Sequence, residues 1–104
     1  MDSSIIELMK NVVSGILEDF NPREILLYGS YARGEQKIDS DIDLAVIMDN
    51  ITNDYLDNSA RLFLLASNYD TRIETILLSL ENDNSGFIEQ IKKYGISLYQ
   101  NQNN

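Results

Sequence analysis

The sequence predicts a mixed α/β fold, a small sheet of about four strands covered by helices. Apolar residues recur at three-to-four spacing near the N-terminus, in the middle and near the C-terminus, which is the period of a helix with one buried face. Between these stretches stand short apolar runs, too short for helices and bounded by Gly, Asn and Asp. The resulting order is helix, strand, turn, strand, helix, strand, helix, strand, with no internal repeat, low-complexity segment or linker.

Residues 4–19 are expected to form the first helix. Its stripe is Ile5, Leu8, Met9, Val12, Val13, Ile16, Leu17 and Phe20, and Ser4 with Glu7 makes a capping box. Asn21-Pro22 stops it. Ile25 to Tyr28 reads as a buried strand that ends at Gly29. Ser30 to Gly34 is a tight turn that opens a short helix, and Glu35 to Ser40 is a polar loop. Asp41 to Met48 is the second strand, with Ile42, Leu44, Val46 and Met48 on one face and Asp41, Asp43, Ala45 and Ile47 on the other. A polar connection, Asp49 to Asn53, leads to a helix over 54–67 with Leu56, Ala60, Phe63 and Leu64 on its buried stripe. Thr71 to Leu80 is the third strand, and Glu81 to Asn84 a turn. Ser85 caps a final helix through Tyr94, with Phe87, Ile88 and Ile91 inward and Gly95 as its stop. Ile96 to Tyr99 alternates like a short edge strand. A single domain over 1–99 and a polar, disordered tail over 100–104 are expected.

Composition narrows the chemistry. The 104 residues suit one domain. With 8 basic and 17 acidic residues the net charge is −9, which argues against a nucleic-acid binder held by a basic patch and against a polybasic membrane anchor. The absence of cysteine removes disulfides, thiol nucleophiles and thiolate zinc sites. The absence of histidine removes the Ser-His-Asp triad and the usual neutral-pH base. Carboxylates with an oxygen-loving cation are the surviving chemistry. The acidic start Met1-Asp2-Ser3-Ser4 is unlike a signal peptide, and no apolar run approaches a membrane span, so a soluble cytoplasmic protein is the expectation.

Residues 29–46 are the unusual part of the chain. Asp41 and Asp43 lie two apart on a strand, which puts both carboxylates on one face among apolar neighbours. Two like charges so placed disfavour the fold unless neutralised, and a hard divalent cation such as Mg²⁺ does that. The alternative is a solvated strand end where the pair is tolerated. Gly29-Ser30 follows a strand directly, where glycine lets backbone approach a ligand and the N–H groups of the turn favour an anion. The alternative there is an ordinary strand-to-helix turn. No Walker A loop occurs. A phosphate cradle on one strand and a carboxylate pair on the next would bracket a metal–triphosphate.

Gly29-Ser30-Tyr31-Ala32-Arg33-Gly34 followed by Ser40-Asp41-Ile42-Asp43-Leu44 resembles the signature of the DNA polymerase β-like nucleotidyltransferase superfamily. The short length resembles its minimal nucleotidyltransferase domains, the antitoxin partners of HEPN toxins. Phe87 to Lys92 with Gly95 to Tyr99 looks like the close of those small domains. The resemblance implies the small nucleotidyltransferase fold. It implies a third carboxylate on a later strand, matched by Glu74. A charged Glu in an apolar strand is in any case costly unless paired, with a salt bridge to Arg72 or edge exposure as the alternatives. The implied catalytic and metal-binding set is Asp41, Asp43 and Glu74, and the implied nucleotide-binding set is Gly29, Ser30 and Arg33. Arg33 has the alternative of tying the loop to Asp39 or Asp41. Lys37 and Arg72 are further cations that could face phosphate, Asp39 is expected to fix the loop, and Tyr28, Tyr69, Tyr94 and Tyr99 read as core or rim aromatics.

The activity implied is transfer of AMP from ATP, with two Mg²⁺ ions, to a hydroxyl. The chain has no length for an acceptor-binding domain, so a partner or second subunit supplies it. The resemblance supplies the candidate, a tyrosine of a HEPN toxin ribonuclease neutralised by AMP. The alternatives are an antitoxin that acts by occlusion without catalysis and an aminoglycoside-type subunit that adenylylates a small molecule. The edge strands leave room for a homodimer or a mixed complex with the toxin.

Overall fold

The computed structural model describes residues 1–51 and 54–102. In order, α1 spans Ser3–Asp19, β1 Glu24–Tyr28, α2 Ser30–Arg33, β2 Ile42–Met48, α3 Tyr55–Ser67, β3 Ile73–Ser79, a 3₁₀ turn Leu80–Asn82, α4 Phe87–Tyr94 and β4 Ile96–Gln100. Residues 52–53 of the expected polar connection and 103–104 of the expected tail lie outside the described residues.

The four strands form one mixed sheet in the order β3-β2-β1-β4. β1 is antiparallel to both β2 and β4, and β2 is parallel to β3, with α3 as the crossover between them. Parallel neighbours need such a crossover, which is why the longest connection in the sheet is helical. The expected mixed α/β sheet of four strands is the observed one.

Period two along the strands gives the sheet two apolar faces. Ile25 and Leu27 of β1, Ile42, Leu44 and Val46 of β2, and Ile73 and Leu77 of β3 meet Ile5, Met9, Val12 and Ile16 of α1 and Leu62 and Ala66 of α3. On the other face Leu26, Ala45 and Ile47 pack under Ile88 and Ile91 of α4. α4 has only eight residues and covers only part of its face. Among the described residues no helix is long and apolar enough to cross a membrane.

Local signals were overruled at several ends. Asp2, not the Ser4–Glu7 box, caps α1, because its carboxylate accepts from the Ile5 N–H at 3.0 Å and from the Ser4 hydroxyl at 2.6 Å. α4 starts after Gly86 in a left-handed conformation, and Asp83 rather than Ser85 accepts from the Ile88 N–H at 3.3 Å. β4 continues to Gln100, and the Asn101 N–H donates to the Arg23 carbonyl, so pairing with β1 reaches into the stretch expected as a free tail.

The largest correction concerns α3. Its expected buried stripe faces solvent, with Leu56 75%, Phe63 48% and Leu64 63% exposed, while Leu62 and Ala66 are fully buried. The helix carries two apolar arcs. Each arc holds one alanine, and the arc the sheet takes is Leu62 and Ala66, which join Ile73 and Leu77 in the core. Leu17 of α1, expected in the core, is likewise at the surface.

Candidate active site

β1 ends at Tyr28 and the chain turns at Gly29 into α2. Gly29 has φ +73°, a conformation glycine adopts at no steric cost, and a Cβ there would run into the Asp43 carboxylate. The glycine therefore does two things. It makes the turn, and it leaves the space that the Asp43 side chain occupies on the next strand. Ser30 opens α2, and no side chain caps its first turn. The first N–H groups of a helix have no intrahelical acceptor, so they point outward beside Gly29. Tyr31 is buried, and its hydroxyl accepts from the Arg72 guanidinium at 3.4 Å, which pins this short helix to the core.

The register builds the acidic side of the site. Antiparallel pairing puts Tyr28 opposite Asp43, and parallel pairing puts Asp43 beside Glu74. Tyr28, Asp43 and Glu74 thus form one row across three strands, on the sheet face that α4 leaves partly open. Asp41 lies just before β2 and is exposed. Burial, then the charges of Asp41 and Glu74, push the Asp43 carboxyl above its ordinary value, against a smaller pull downward from Arg33. The Tyr28 hydroxyl is pushed up by burial and by Asp43 and Glu74. The direction of both shifts follows from burial and from carboxylates close enough to repel one another.

Each sequence expectation has a place here. Gly29, Ser30, Asp43 and Glu74 come together, with Asp41 at the rim. Glu74 is exposed on the edge strand and makes no ion pair with Arg72, whose guanidinium holds Asp70 at 2.8 Å. Arg72 thus faces Asp70 and Tyr31 and is spent on structure rather than on phosphate. Arg33 is not tied to Asp39 or Asp41; it pairs with Glu35 at 2.7 Å. Its influence on Asp43 places its charge at the site. The 35–40 loop is closed by Lys37 and Ser40, whose hydroxyl accepts from the Lys37 N–H at 2.7 Å, rather than by Asp39. Tyr28 is the residue that the linear reading undervalued. The signal was cross-strand pairing, which is invisible until the register is known.

The donor set fits a hard cation, since every group is a carboxylate oxygen. Among the described residues no group of three acidic side chains forms a ready-made metal cage. Mg²⁺ needs none, because it is commonly held by one or two carboxylates together with substrate phosphates.

A glycine-serine turn opening a helix, with carboxylates on the next two strands, is the layout of a nucleotidyltransferase. Residues 10–104 match the polymerase beta nucleotidyltransferase family, and the chain belongs to that family. It is 35% identical over 101 residues to the protein adenylyltransferase MntA of Shewanella oneidensis, covering 92% of this chain and 68% of that one. A solved toxin–antitoxin complex with AMP-PNP superposes with a TM-score of 0.70 at 27% identity, covering 90% of this chain and 74% of that one. The MNT antitoxin solved with the tri-AMPylated HEPN toxin of Shewanella oneidensis gives 0.65 at 23% identity, covering 93% and 73%, a likeness of fold.

Proposed function

We propose that this nucleotidyltransferase moves AMP from ATP to a tyrosine hydroxyl of a HEPN-type toxin and so acts as its antitoxin. The observation that carries the reading is the Asp43–Glu74 register beside the Gly29-Ser30 turn. The relative named as a protein adenylyltransferase supports the protein acceptor, and the AMP-PNP complex supports ATP. The domain supplies the nucleotide half of the site and the partner the acceptor half, in the cytoplasm.

Ser30 and the first N–H groups of α2 hold the β- and γ-phosphates, where N–H groups without intrahelical acceptors favour an anion. Arg33 adds its guanidinium on the same side. Asp41 and Asp43 would hold Mg²⁺, two ions when Glu74 joins them, and the bound metal supplies neutralisation of the phosphate charge and of the carboxylate row. The tyrosine oxygen attacks the α-phosphorus in line. The new O–P bond forms as the bond to the bridging oxygen breaks, and pyrophosphate leaves with the electron pair. The hydroxyl proton passes to Glu74 or to water beside it. No histidine is required.

The test is intact-mass spectrometry of the adjacent gene's product after incubation with this protein, Mg²⁺ and ATP. The expected result is a gain of one or more AMP units, absent with an Asp41→Asn/Asp43→Asn double variant. A stable complex with no mass gain would leave an antitoxin that acts by occlusion. No gain and no complex would overturn the protein acceptor and favour a small molecule.

A further inference from the structure

From the outer arc of α3 and the free edge of β3 we infer the docking surface for the acceptor protein, an inference that rests on the proposed transfer to a protein. The occupant it fits is a partner helix with an apolar face flanked by Lys or Arg. Leu56, Ala60, Phe63 and Leu64 fall at i, i+4, i+7 and i+8, one continuous helical face turned to solvent. Solvated apolar stripes of this kind mark interaction surfaces. The flank of α3 toward α1 is already occupied, by Arg61 over the Phe20 ring at 4.4 Å. The buried flank, Leu62 and Ala66, sits on the sheet. The open arc therefore lies on the remaining side, next to β3.

β3 is the last strand of the sheet on that side, and among the described residues nothing pairs with its outer edge. Glu74 of the acidic row stands on this same strand, and Leu80, 45% exposed, follows its far end. α3 packs on the sheet face opposite the carboxylate row, so a partner helix laid on its arc brings its chain to the β3 edge, around which an adjoining segment reaches the row. The site needs a hydroxyl delivered at that place.

Charge selects the occupant. Asp57 and Glu81 are exposed around this surface, Glu74 is exposed across the β3 edge, and none of the four ion pairs among the described residues uses them. The nearby cations are committed, Arg72 to Asp70 and Arg61 to Phe20 and Asn58. A second copy of this chain brings another net charge of −9 and meets repulsion, whereas a basic flank is attracted.

The test measures affinity for the adjacent gene's product by titration calorimetry, with AMP transfer followed by intact mass. A Leu56→Ser/Phe63→Ser/Leu64→Ser variant is expected to keep its circular dichroism and its ATP affinity and to weaken partner binding by about thirtyfold or more. Transfer should fall through KM, recovering at high partner concentration. Asp57→Lys should slow association at low salt and lose that effect at high salt. The Asp41→Asn/Asp43→Asn variant should bind and not transfer. If wild type binds and the triple variant binds within about threefold of it, the surface is wrong while the proposed function stands. If the triple substitution only converts a dimer to a monomer in sedimentation velocity, a second copy covers the arc and the inference is overturned. If wild type neither binds nor modifies the partner, the proposed function fails first and takes this surface with it.

Discussion

Burial and the two neighbouring carboxylates Asp41 and Glu74 raise the Asp43 carboxyl above its ordinary value. Its folded-state pKa is raised, so the fold binds that proton more tightly than the unfolded chain does. The contribution to stability is fully present below the unfolded carboxylate range and is lost as pH rises through the folded value. Toward neutral pH the bare carboxyl therefore disfavours the fold relative to acid. Asp43→Asn is expected to melt at or above the wild-type temperature at pH 7, with the difference closing toward pH 4, while transfer is abolished. Thermal melts across that pH range check it. A neutral-pH loss of folding would show that the carboxylate is structural. Asp70 has the opposite sign: hydrogen bonds from Arg72 hold its pKa down, and its stabilising effect is lost as pH falls through the depressed value. Gly29 and Gly34 both have positive φ, but only at Gly29 does an added Cβ meet something, the Asp43 carboxylate. Alanine at either position should cost about 1–2 kcal/mol in backbone strain. Only Gly29→Ala should also abolish AMP transfer, which separates displacement of Asp43 from simple loss of stability.

Single elements follow two rules of different reach. Caps are local. Asp2→Ala should lower the urea midpoint of unfolding, with Ser4→Ala affecting it far less, since the Asp2 carboxylate accepts from the Ile5 N–H while the Ser4 hydroxyl only donates to that carboxylate. Faces are not local. Leu62→Ala should cost about 2–5 kcal/mol, as expected for a fully buried leucine. Leu64→Ala, two residues on, should stay within about 0.5 kcal/mol. The reverse order would return α3 to the orientation its sequence pattern first suggested. Both arcs have helical spacing, and the richer one faces solvent. A hydrophobic pattern says that a helix has an apolar face and does not say which layer covers it.

Across the whole molecule, the sheet order decides what meets what. β2 lies between β1 and β3, so the Gly29-Ser30 turn and both acidic strands are neighbours. A one-residue slip between β2 and β3 would send Glu74 to the other face, away from Asp43. The surplus of acid is also a property of the whole chain. It is tolerated because most of the charge stays solvated, and it makes association with a basic partner steeply dependent on salt.

Much of this was legible along the chain. The element order and the turn at Gly29-Ser30 need only periods of 3.6 and 2.0 and glycine's freedom, whereas Asp41, expected on the strand beside Asp43, lies just before β2. The order and the turn rest on interactions between residues close in sequence, and short-range geometry determines them. The rest depended on strands far apart in sequence. Pairing placed Tyr28 and Glu74 on either side of Asp43. The sheet chose Leu62 and Ala66 over the larger arc of α3. Asp70 rather than Glu74 claimed Arg72. The sequence by itself determined which chemistry the chain carries. Only the tertiary structure decided which groups share a face and which are left to solvent, because burial and cross-strand register are properties of the assembled sheet.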